Sequence, residues 1–149
     1  MWLVCFVHVM VRRHARVVSG GGIVAAVGLS VLAAGCTGPG ADQAGEVAQS
    51  FAQLATSDTA QACELLSGHT REAVEKAAKK GCPDALTDED LPGESSVRLV
   101  DVYGHDARVT LDNDVVFLAR FPEGWKVTAA GCTPGSSEDE PFDCDVSGD

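Results

Sequence analysis

Val115-Val116-Phe117-Leu118-Ala119-Arg120-Phe121-Pro122-Glu123-Gly124-Trp125-Lys126-Val127-Thr128-Ala129-Ala130 is the stretch whose reading decides the fold. Its side chains follow a period of two on either side of a Pro-Glu-Gly turn, the pattern of two antiparallel strands joined by a tight connection. Val115, Phe117, Ala119 and Phe121 share one face of the first strand, while Val116 and Leu118 occupy the other. Apolar residues on both faces mark a strand inside a sheet, not at its edge. Upstream, residues 97–103 and 107–111 read as two more strands, with Gly104-His105-Asp106 and Asp112-Asn113-Asp114 as turns. With a last strand over residues 125–130, four strands in succession predict an antiparallel meander.

Before residue 97 the period is 3.6. Ala44, Val47, Ala48, Phe51, Leu54 and Ala55 recur at spacings of three and four, which predicts one amphipathic helix over residues 43–55. Asp58 followed by Gln61 has the form of a capping box and predicts a short second helix through residues 63–66. Thr70 is read as the cap of a third helix that carries Ala73, Val74, Ala77 and Ala78 and stops at Gly81. Residues 83–93, with Asp88-Glu89-Asp90 and Leu91-Pro92-Gly93, read as an irregular transition. Helices followed by strands define an α+β class: N-terminal helices packed on a curled, cone-like, antiparallel four-stranded sheet.

Arg12, Arg13 and Arg16 precede an uncharged, largely apolar run over residues 17–32, which closes on Leu32-Ala33-Ala34-Gly35-Cys36. A basic region, an apolar region and small residues before a cut site are the parts of a secretory signal. The closing five residues resemble the lipobox of bacterial lipoproteins, with Leu32 one place further from the cysteine than is usual there. This implies residues 1–35 as a signal peptide, Cys36 as a lipidated N-terminus and residues 36–45 as a linker. Residues 46–149 then form one α+β domain with a disulfide-closed C-terminal loop. An uncleaved membrane anchor is the competing reading, since residues 17–35 are about long enough to span a bilayer; Gly20, Gly21 and Gly22 and the lack of basic residues just after Cys36 argue against it. The apolar residues 1–10 stand on the wrong side of the basic cluster for a signal, which points to Met10 as the true start. Two or more acyl chains hold a protein stably on a bilayer, so the expected location is the extracytoplasmic face of the cell membrane.

Cleavage there leaves 114 residues, enough for one modest core. It also removes three arginines, leaving eight Lys and Arg against 22 Asp and Glu, a formal charge of −14. Phosphate backbones are repelled by such a surface, so nucleic acid is not an expected partner. Besides Cys36 the remaining chain has Cys63, Cys82, Cys132 and Cys144, an even set that reads as two disulfides in an exported domain. Among three connectivities, sequence order favours Cys63 with Cys82 and Cys132 with Cys144. Each such loop is worth about 3 kcal/mol in the chain-entropy account. No Cys-x-x-Cys pair occurs and no histidine lies within four residues of any of these cysteines, so neither a metal nor a cofactor is expected.

The hairpin through Gly124-Trp125-Lys126-Val127 resembles the final hairpin of the cone-shaped superfamily named after nuclear transport factor two. The whole segment from Cys36 to Pro141-Phe142-Asp143-Cys144 is similar to a group of uncharacterised actinobacterial lipoproteins. The resemblance implies a sheet curled around a pocket used by some relatives for isomerisation or dehydration and by others for binding alone. For such a pocket Asp101, Tyr103 and His105 are the candidate residues. Asp101 is placed on one strand face with Val97, Leu99 and Tyr103, where burial would raise its pKa as a general base requires; the competing reading lets it reach water at the strand end. Phe117, Phe121 and Trp125 are read as core, and Glu138-Asp139-Glu140 as a solvated loop. Two functions are expected: a non-catalytic accessory or binding domain for a small molecule or envelope protein, or a small pocket enzyme using Asp101 with Tyr103 or His105. The leader yields a direct check: Cys36→Ser is expected to release the protein from membranes or block its processing. Labelled fatty acid entering wild type and variant equally, or entering neither, contradicts the assignment.

Overall fold

A computed structural model describes residues 40–137 and 140–148. The residues read as a signal peptide, the start expected at Met10 and the lipidation expected at Cys36 lie outside the described residues. Four helices, α1 (Ala41–Ser57), α2 (Thr59–Leu65), α3 (Gly68–Ala78) and α4 (Cys82–Asp88), precede five strands. These are β1 (Val97–Tyr103), β2 (Asp106–Leu111), β3 (Val115–Phe121), β4 (Gly124–Thr133) and β5 (Asp143–Ser147), paired antiparallel in chain order. The fold is α+β with two disulfides, Cys63–Cys82 and Cys132–Cys144.

The helices cover one face of the sheet. α1 buries Ala44, Gly45, Ala48, Ala52 and Ala55, small residues that let its neighbours come close, and Phe51 is buried beside them in the core. The Gly45 backbone lies so near β1 that an added Cβ would stand 3.4 Å from a Val100 methyl. Leu66 and Leu86 from the helical layer meet Val109, Val116, Leu118, Val127 and Val146 from the sheet, all buried. Side chains therefore fill the space between helices and sheet that the resemblance implied as a pocket.

Several expectations are corrected. β5 is a fifth strand where a closed loop was expected: it alternates acidic residues with a single strongly apolar one, Val146, and Asp is poor in strands. α4 occupies part of the expected transition because Gly81 stands at its N-cap and Pro83 in its first turn, where a missing N–H costs nothing. α3 is capped by Ser67, whose Oγ accepts the Thr70 N–H at 3.1 Å, not by Thr70 itself. It ends at Lys79 in the left-handed region, φ 56°, and Gly81 belongs to the next helix. Helix α1 starts at Ala41, inside the segment read as linker. The Asp58 cap is present as read: its carboxylate accepts from the Gln61 backbone and side chain.

Asp114, at the end of the β2–β3 turn, is a carboxylate at 7% exposure whose Oδ1 accepts the Cys132 N–H at 3.0 Å. Pairing of β3 with β4 runs from Phe121↔Gly124 to Phe117↔Ala129, and beyond it the Asp114 side chain stands in for a strand partner. β4 turns there at Gly131, φ 67°, where an added Cβ would lie 2.6 Å from Asp145 Oδ2, so only glycine fits. Burial pushes the Asp114 carboxyl above its ordinary range, against backbone hydrogen bonds from Cys132, Gly131 and Val115, and the Asp145 charge pushes the same way as burial. A folded-state pKa above the unfolded value means that the native state binds the proton better, so the stability it contributes fades as pH rises through the folded pKa. The stability advantage of wild type over Asp114→Asn, measured by urea unfolding, is expected to shrink between pH 4 and pH 7; an advantage that grows contradicts this. Asp114→Ala should cost about 2 kcal/mol near pH 4, because it leaves a buried N–H unpaired, and less as pH rises by the same linkage.

Candidate functional site

With helices on one face of the sheet, the alternate side chains emerge on the other. On β1 these are Leu99, Asp101 and Tyr103, with Leu99 and Tyr103 52% and 61% exposed. Val97 is not among them. The register slips between Val97 and Leu99, leaving Arg98 as an extra residue, and the bulge turns Val97 inward beside Val100 and Val102. Asp101 thus stands on the open face, and the Arg108 guanidinium donates to its Oδ2 at 2.7 Å across the β1–β2 pair. That hydrogen bond raises the Arg108 pKa further above its ordinary value, and desolvation opposes it. His105 lies in the β1–β2 turn, where its carbonyl accepts the Arg120 N–H at 2.7 Å.

Two clefts lie on this open face and share Phe117 and Thr128. The larger, about 840 Å³, has Phe117, Phe121 and Ala129 on its floor and Phe142 from the C-terminal segment as one wall. The Phe117 and Phe142 rings meet edge to face, centroids 5.1 Å apart at 76°. The opposite wall is the N-terminal turn of α3 with Ser67, His69 and Thr70. The smaller cleft, about 430 Å³, is bounded by Tyr103, Asp106 and Arg108. Tyr103 therefore borders a concavity, while Asp101 reaches it through Arg108 and His105 does not line it.

A second bulge sets the α3 wall. The β3–β4 register slips where Phe117 pairs with Ala129 and Leu118 with Val127, which leaves Thr128 unmatched. Its carbonyl, freed from the ladder, accepts the Thr70 hydroxyl at 3.0 Å and the Gly148 N–H at 3.3 Å. Ser67 Oγ and Thr70 Oγ1 are 2.8 Å apart, and the Ser67 N–H donates to the Val127 carbonyl at 2.8 Å. One bulged residue thus anchors both the α3 turn and the C-terminal segment, the two walls of the cleft.

Trp125 belongs to the core at 5% exposure, with the Arg120 guanidinium 5.9 Å from its ring. Phe117 and Phe121, read as core, sit instead on the open face, and Phe121 is 39% exposed. The signal was in the sequence: the Val115-Phe117-Ala119-Phe121 row is as apolar as the row that packs on the helices. Among the described residues no group of three or more His, Cys, Asp and Glu could hold a metal ion, and no helix is long and apolar enough to cross a membrane. No family model, curated protein or solved structure matches the chain.

Proposed function

We propose that this chain is a lipid-anchored, extracytoplasmic binding domain that takes an apolar or aromatic small molecule into the cleft on the open face of its sheet. One observation carries the reading: Phe117, Phe121 and Phe142 are gathered, partly exposed, around a single cleft instead of being buried in the core. Apolar surface left open in a concave site, with a few polar groups at its rim, is how small-molecule sites are built. His69 and Thr128 supply polar groups at that rim and would orient the ligand. Binding is favoured over catalysis because the Asp101 carboxylate is occupied by the Arg108 guanidinium and lines neither of the two clefts. Cys36 and the leader supply the anchor and the compartment in this reading, and the two disulfides agree with an oxidising location.

The neutral apolar fluorophore N-phenyl-1-naphthylamine tests the cleft. Its fluorescence should rise saturably with wild type, and Phe117→Ala or Phe142→Ala should each weaken binding about tenfold, or about 1.4 kcal/mol. Affinities unchanged in both variants contradict the assignment of the cleft as the binding site.

A further inference from the structure

β1 is an edge of the sheet, and its free side is not blank. A groove of about 500 Å³ runs between it and α1, lined by Asp42, Gly45 and Glu46 on the helix and Val97, Leu99 and Val100 on the strand. In an antiparallel pair every second residue turns its N–H and C=O toward the neighbouring strand and the others turn theirs away. On β1 the groups turned away meet no backbone or side-chain partner among the described residues. An edge of this kind is a template for one more strand unless charge or a bulge blocks it. Here the bulge and the charge of Arg98 stand at its first two residues, and residues 99–103 pair with β2 in regular register.

The side chains beside the groove say what such a strand should carry. Added next to β1, its residues would point alternately toward α1 and toward the open face. On the α1 side Asp42 and Glu46 are exposed and have no ion-pair partner among the described residues, whereas Arg98, the cation of the groove, is paired with Asp112. On the open side Leu99 and Tyr103 are the two most exposed large apolar residues described. We infer that the β1 edge docks an extended segment of a partner protein, with Lys or Arg facing α1 and apolar residues beside Leu99 and Tyr103. The segment adds a sixth strand: the ladder supplies affinity and the alternating pattern supplies specificity. A second copy of the chain fits less well. Pairing two β1 strands so that each Leu99 meets a Tyr103 sets Asp101 against Asp101, and each copy carries a net charge of −11. This inference does not rest on the open-face cleft.

The probe is the peptide Lys-Val-Lys-Phe-Lys-Val-Lys, blocked at both ends, titrated into the full-length chain in detergent with amide shifts and hydrogen exchange as readout. It should bind at least tenfold more tightly than the same peptide with Glu for Lys, and slow the exchange of β1 amides. The exposed substitutions Asp42→Lys and Glu46→Lys together should weaken it at least tenfold with the fold intact, and backbone N-methylation of the peptide on one edge should abolish binding. Equal binding of the Lys and Glu peptides, indifference to the double reversal or to N-methylation, or shifts that spare β1 would overturn the inference. So would a concentration-dependent dimer of the chain alone that Leu99→Lys abolishes, since the edge would then belong to a second copy.

Discussion

The bond between Cys132 and Cys144 is the constraint on which both sheet and cleft depend. The two residues face each other across β4 and β5, with Cα atoms 4.0 Å apart. The Cys132 N–H points the other way, to Asp114, so this is a pair without mutual backbone hydrogen bonds, the kind whose side chains come closest. A strand of five residues with two aspartates and one strongly apolar side chain has little else to hold it, and the cystine fixes its register. Phe142, two residues before Cys144, is thereby brought to Phe117, and Gly148 to the Thr128 carbonyl. One covalent link thus supplies an edge strand and a wall of the cleft.

The helical layer shows the same dependence in another form. α2 and α4 are seven residues each, too short to be stable alone, and the buried face of α1 is mostly alanine. Cys63 and Cys82, both buried, join α2 to the start of α4 and form part of the core. The Asp58 cap and the Ser67 cap settle the first turns of α2 and α3. Local capping, two staples and a core of modest side chains together replace the large apolar interior that a chain of this size lacks.

Period and turn chemistry made much of the fold legible. β1 and β3 have the bounds that alternation implied, and the Asp58–Gln61 box marked the start of α2. What stayed hidden depended on ambiguous signals or distant contacts. Pro83 breaks a helix from inside and starts one at its first turn, and nothing in the local sequence separates the two. Ser67 and Thr70 are both good caps one turn apart. The bulge at Arg98 leaves no mark in the composition, yet slipping by one residue turns Val97 to the core side, away from the face that Asp101 shares with Leu99 and Tyr103. Of the cleft, Phe117 and Phe121 were visible as a second apolar row, whereas Phe142 and His69 reach it only through tertiary structure.

The C-terminal segment, held by Cys132–Cys144, is a wall of the open-face cleft and not an appendage. Amide hydrogen exchange and aromatic ring contacts measured on a Cys132→Ala, Cys144→Ala double variant test this most directly. The account predicts that β1 to β3 keep their protection while β5 loses it and the contact between the Phe117 and Phe142 rings disappears. A variant in which β5 stays protected and the two rings remain in contact would contradict it.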